Sequence, residues 1–267
     1  MRLRPIAGIA LRQYYLLRSS PTRILPLFGW VAVDVVLWGF IARYLNRVSH
    51  ASFDFTPALL GAVLFWDFFA RVMQGMTTAF FEDVWSRNFI NVFATPLSIS
   101  EYLTGLVVTS IATSTVGLLV MLLMAALLFG LNALALGALL VPCVLVLFLF
   151  GIALGILATA MVLRFGPASE WLVWPIPALL SPFAGVFYPL STLPVWMRYI
   201  GRLLPPSYIF EGMRGLIAGQ AFPLGSVLLS AALAGSQVLL AAWVFVRVYR
   251  YATRHGLLAR YSAESAG

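Results

Sequence analysis

Asp34, Asp67 and Arg71 stand inside long apolar runs. A charge in such a run is costly, and it normally faces protein, an opposite charge or a water-filled cavity. Asp67 and Arg71 are i and i+4, so on a helix they share a face and can pair. That pair reads as a structural tie between helices or as a polar contact to a transported molecule, and the structural reading is preferred. Asp34 has no local partner in sequence. It pairs across helices with Arg71, or it stays neutral. A proton relay is the weakest of its readings, because one acid alone carries little signal. Nothing else in the chain suggests bond-making chemistry. There is no HExxH, no nucleophile elbow and no suitably spaced pair of metal-binding carboxylates. The one cysteine, Cys143, lies in an apolar run, and His50 and His255 are far apart. No catalytic residue, metal or cofactor is therefore expected, and the chain is not read as an enzyme.

The composition explains what must position these charges. Of the 267 residues, 62% are hydrophobic and 10% are charged. A soluble domain carries about 25% charged residues, and one of this size leaves roughly a quarter of its chain surface in water. The surroundings must be lipid. Six spans follow from the apolar runs, at about 24–45, 57–80, 103–129, 136–163, 171–190 and 224–247. About 20 apolar residues cross a bilayer core as a helix. The fifth run is interrupted by Pro175, Pro177, Pro182 and Pro189.

The net charge is +8, and all 17 basic residues are arginine. Without lysine the chain cannot hold an ordinary Walker A site, whose lysine reaches the β- and γ-phosphates. The arginines are scattered at the ends of apolar runs, which fits membrane topology better than nucleic-acid binding. With both termini on one side, eleven fall there and five fall opposite (Arg43, Arg47, Arg198, Arg202, Arg214), while Arg71 lies within a span. The bias places both termini in the cytoplasm.

Three further segments read as helices outside the spans. Residues 5–17 suit an amphipathic helix at the cytoplasmic interface, with Ile6, Ile9, Ala10, Leu16 and Leu17 near one face. Residues 83–93 set Trp85, Phe89, Val92 and Phe93 on another apolar face. Residues 194–204 repeat apolar pairs until Pro205 and Pro206 stop them, and Ser207 is the expected cap of one more helix over 207–219.

The stretch SPFAGVFYPLSTLPVWMRYIGRLLPPSYIFEGMRGLIAG (181–219) resembles the C-terminal signature of permease subunits of type-2 ABC exporters. TPLSISEYLTG (95–105) is similar to the TPLS…EY…G stretch those permeases carry at the start of the third span. The chain departs from many members just before TPLS, where EDVWSRNFINVFA (82–94) lacks their Gly-Thr. The resemblance implies a single all-α membrane domain over 1–267. It would have six transmembrane helices, a cytoplasmic coupling helix, and an outer re-entrant helical hairpin between spans five and six. It also implies two such permeases, identical or paired with a paralogue, above two separate ABC ATPase subunits in a bacterial inner membrane.

The resemblance further implies roles for particular residues. In the coupling segment, Trp85, Phe89 and Phe93 would enter a groove of the ATPase while Glu82, Asp83 and Arg87 fix register. The plainer reading is a helix resting in the lipid interface. Pro182, Pro189 and Pro194 would break the fifth span into an outer gate, or merely kink it. Glu211 and Arg214, at i and i+3, would border the exit or form a local ion pair. The implied function is export of an amphipathic, lipid-linked or glycan-type cargo. The competing function is a secondary transporter or channel that uses Asp34, Asp67 and Arg71 with an ion gradient. GxxxG at Gly151/Gly155 and at Gly215/Gly219 is read as helix packing.

Overall fold

The computed structural model describes residues 3–18, 21–49, 54–86, 95–132, 137 and 139–257. These are mostly helical, with no strand among them. In chain order the α-helices are α1 (Leu3–Arg18), α2 (Pro21–Val48), α3 (Gly61–Trp85), α4 (Ile99–Phe129), α5 (Leu140–Phe165), α6 (Ile176–Leu180), α7 (Val195–Leu203), α8 (Pro205–Ile217) and α9 (Leu224–Arg254). A π-helical turn, Thr56–Leu60, runs directly into α3. Four helical segments among the described residues are long and apolar enough to cross a bilayer: Thr56–Trp85, Ile99–Phe129, Leu140–Phe165 and Leu224–Arg254. The expected first span lies within α2.

α3 is the axis of the bundle. Phe65, Phe68, Phe69, Met73, Met76 and Phe80 are all buried on it, against α4 and α5. Its neighbours approach closely because they present small residues. A Cβ at Gly151 would lie 2.7 Å from Val72 Cβ and 3.0 Å from the Phe69 carbonyl oxygen. One at Gly155 would lie 3.2 Å from the Met73 carbonyl oxygen. This glycine pair therefore does pack two helices, as read. The pair at Gly215/Gly219 does not. Gly219 turns the chain after α8 at φ +79°, and Gly215 faces only Gln220. On the α4 side, Ser110 Oγ donates to the Val72 carbonyl at 2.7 Å.

The TPLS stretch gains a physical reason. Ser98 caps α4: its Oγ accepts from Glu101 N at 3.3 Å, and the Glu101 carboxylate accepts from Ser98 N at 3.1 Å. This reciprocal box satisfies two orphan donors at the helix start. At the other end Gly130, at φ +69°, closes α4 by donating to Ala126 O at 3.0 Å.

Two expectations need correction, at Ser207 and at residue 83. Residues 171–190, read as a run interrupted by prolines, do not form one helix. A 3₁₀ turn (Pro167–Leu172), the five-residue α6 and a 3₁₀ turn at Leu190–Thr192 replace it. The prolines lack the N–H that a continuous ladder needs, and Gly185 reverses the backbone at φ +63°. Ser207 does not cap the following helix. Pro205 and Pro206 occupy its first positions, where a missing N–H costs nothing, and Leu204 precedes them as the capping residue. Ser207 Oγ instead donates to the carbonyls of Gly201 and Leu204 at 2.7 and 2.8 Å. Finally, no new helix begins at residue 83, because α3 continues to Trp85. The rest of the expected coupling helix, 87–94, lies outside the described residues.

α7 and α8 form a hairpin against α9. Ser230 Oγ donates to Pro205 O at 2.7 Å, and Gln237 Nε2 to Leu203 O at 2.9 Å. The link between α2 and α3 is tied by polar groups. Asp54 Oδ1 accepts from Asn46 Nδ2 at 2.8 Å and from Thr56 N at 2.9 Å. Asn46 Oδ1 accepts from Phe55 N at 2.7 Å.

Candidate functional site

Along α3, the polar residues Asp67, Arg71, Gln74, Thr78 and Glu82 recur every three or four positions. On a helix that spacing is one face. This face borders a cavity of about 920 Å³. From Asp67 to Trp85 it follows α3 for about 27 Å at 1.5 Å per residue. Asp34 on α2 closes it from one side, and Thr109, Thr113 and Ser114 on α4 from another. Gln13 of α1 lies at the Trp85 end. Three indoles, Trp30, Trp85 and Trp174, complete the wall. The charged residues that sequence reading singles out within the spans are thus brought to one cavity by two helices, α2 and α3.

Asp34, Asp67 and Arg71 interact electrostatically with one another. Arg71 reaches its place because Gly117 on α4 leaves room. A Cβ there would stand 3.3 Å from Arg71 Cδ. Two oxygens in the cavity wall are buried without a hydrogen bond: Asp67 Oδ2 and Ser114 Oγ. Ser114 is only 2% exposed. Buried polar groups are normally satisfied, so two together in one wall mark a place where a polar group from outside would be welcome.

The base of α3 holds a second cluster. Asp83 is fully buried, and its carboxylate forms an ion pair with Arg12 of α1. It also accepts from Tyr102 Oη of α4 at 2.7 Å. Beside it Gln13 Nε2 donates to Ala79 O at 3.3 Å, and Ile9 packs over Gly105. So α1 is pinned to α3 and α4, while Leu11, Tyr14 and Tyr15 stay exposed on its other side. Asp83 therefore does not face outward as a register residue would. A carboxylate at this depth is held by the guanidinium and phenol folded onto it. Trp85 is half exposed, and its Nε1 donates to Glu170 Oε2 at 3.0 Å, joining α3 to the turn after α5. Glu82 borders the cavity. Arg87, Phe89 and Phe93 lie outside the described residues.

At the opposite end of the bundle, Glu211 Oε1 accepts from Leu190 N at 2.7 Å and from Arg214 Nη2 at 3.0 Å. Arg214 Nη1 donates to Val186 O at 3.2 Å. The pair is local, and it also fastens α8 to the turn at 186–190. Pro182 accepts from Tyr188 Oη at 3.0 Å, Pro189 precedes the 3₁₀ turn, and Pro194 precedes α7.

Sequence reading missed several of these residues. The 67/71/74/78/82 spacing is legible in the sequence as one helix face. Ser98 and Glu101 carry a plain S-x-x-E signature. Arg12, Tyr102, Glu170, Trp30 and Trp174 gave no local signal, since each matters only through a helix distant in sequence.

The described residues thus form a helical bundle with four candidate membrane spans around a cavity lined by polar and aromatic side chains. The family described as ABC-2 type transporter matches residues 17–218, and the chain belongs to that family. Its members work with an ABC ATPase in a membrane complex. Among curated proteins, none matches the chain.

Proposed function

We propose that this chain is the permease subunit of an ATP-driven exporter that moves an amphipathic, lipid-linked or glycan-type cargo out of the cytoplasm. The family match over 17–218 carries the reading. Separate ATPase subunits, two per complex, supply the nucleotide chemistry. The chain's lack of lysine agrees with that division. A second copy or a paralogue completes the path. The chain sits in a bacterial inner membrane with six crossings and both termini in the cytoplasm. The broken segment 171–190 serves as the fifth crossing, its prolines tolerated where the backbone borders protein or a water-filled path.

Residues 82–97 are the docking segment, with Trp85, Phe89 and Phe93 as apolar anchors and Glu82 and Arg87 at the rim. The Arg12–Asp83–Tyr102 cluster supports this role by fixing the base of α3 beside the segment. Power strokes from the ATPase would reach α3, and through it the cavity.

The hairpin α7–α8 is the outer re-entrant element. Gln237, which holds Leu203, lies about 20 Å along α9 from Leu224 at 1.5 Å per residue. Glu211 and Arg214 hold the gate turn to α8.

The test is co-purification with the ATPase and transport in vesicles. Trp85→Asp and Phe89→Asp are expected to abolish the association while leaving the permease in the membrane. Retained association in both variants would refute the docking role. Transport driven by a proton gradient, with no ATPase present, would establish the secondary-transporter reading instead.

A further inference from the structure

We propose that the α3 cavity is a binding site for an amphipathic organic cation, a protonated amine or onium group carried on an aromatic or aliphatic body. The proposal rests on the export reading above and narrows its cargo. Charge, unsatisfied oxygens and aromatic walls carry it together.

At the end of the cavity away from Trp85, the carboxylates of Asp67 and Asp34 stand with one guanidinium, Arg71. With both carboxylates ionised, the described groups there carry one negative charge in excess, which a bound cation would balance. Arg71 already interacts with both carboxylates. A phosphate or carboxylate ligand would therefore meet two like charges for one opposite charge. A cation meets the reverse. Asp67 Oδ2 and Ser114 Oγ, both buried without hydrogen bonds, are acceptors that an ammonium N–H satisfies directly.

The remaining wall suits the rest of such a molecule. Trp30 and Trp174 offer indole faces, which attract cations and pack apolar rings. Gln74 and Thr78 on α3 add hydrogen-bonding groups between the two ends. The volume of about 920 Å³ is that of a site for a drug-sized molecule. The elongated shape along α3 favours a molecule with its charge at one end. A lipid-linked diphosphate glycan is disfavoured on the same grounds.

Two probes of one shape and opposite charge make the test: tetraphenylphosphonium and tetraphenylborate. Binding is read by tryptophan quenching of the full-length chain in zwitterionic nanodiscs, with empty nanodiscs giving the lipid background. The cation is expected to bind saturably and the borate to show no saturable binding. Asp34→Asn and Asp67→Asn are each expected to weaken cation binding about tenfold or more. Asp34 and Asp67 are both partly exposed, so each amide variant is expected to fold. Ser114→Ala serves as a third, milder variant with a smaller loss. Saturable binding of the borate, or unchanged cation affinity in monodisperse Asp34→Asn, overturns the proposal. ATPase co-purification is measured on the same samples. Absence of saturable cation binding by the parent chain, with ATPase association retained, rejects this inference alone, whereas absence of association in the parent chain rejects the exporter reading.

Discussion

Removing Arg12 tests how α1 is attached to the membrane bundle. Asp83 is fully buried, and its carboxylate has two partners in the fold, Arg12 and Tyr102. Arg12→Ala strands that carboxylate. Breaking a buried pair by deleting one partner costs about 3–5 kcal/mol. The Arg12 side chain is 31% exposed, which places the pair at the low end, about 3 kcal/mol. Asp83→Asn is milder, because Arg12 can turn to water and the amide oxygen still accepts from Tyr102. Its expected cost is about 1–2 kcal/mol. With both substitutions together the stranded charge is gone. The double variant should then recover at least about 1.5 kcal/mol relative to the sum of the singles. Cys143 supplies the assay. It is the chain's only thiol and is fully buried, so a thiol-reactive fluorophore reports unfolding without engineering. At about 2–4 °C per kcal/mol, Arg12→Ala should melt roughly 6–12 °C below the parent. If the two single effects add to within about 0.5 kcal/mol, the pair does not hold α1 and the anchoring argument fails.

Gly151→Ala should lower the melting point by about 4–8 °C, because its new methyl meets Val72 Cβ and a backbone carbonyl that cannot yield. Gly235→Ala, with open space around it, should be neutral or slightly stabilising in the same scan. Glu211→Ala should loosen the turn at 186–190 by about 1 kcal/mol, while Glu211→Gln, which keeps an acceptor for Leu190 N, should cost less. Faster proteolysis of that turn in the alanine variant is the readout. For Asp54, burial raises the carboxyl's pKa. The Thr56 N–H, the Asn46 amide and the Thr56 hydroxyl outweigh burial and hold it below the ordinary value of 3.8. Its contribution is therefore fully present above that value and is lost as pH falls through the lower native one. Solvent keeps it to about 0.5 kcal/mol at most. Asp54→Asn should flatten this part of the acid limb of the melting-point profile.

Composition and apolar run length determined that the chain is a helical membrane protein, since no aqueous fold can cover so much apolar surface. Helix edges were legible wherever charge or glycine marked them, as at Gly130. The same holds for the break at 171–190, because a proline lacks its N–H in any surroundings. The motif stretches at 95–105 and 181–219 carried the family. Tertiary packing alone decided which distant residues meet. Thr113 and Ser114 come to stand beside Arg71 because Gly75 and Gly117 let α4 close on α3, and that approach depends on backbones separated by some 40 residues. Asp83 shows the limit most clearly. Next to an amphipathic aromatic face it reads as a surface charge, and only the arrival of Arg12 and Tyr102 from two other helices makes its burial affordable. A periodicity describes one helix at a time, whereas the energy of a buried charge belongs to whatever the other helices bring beside it.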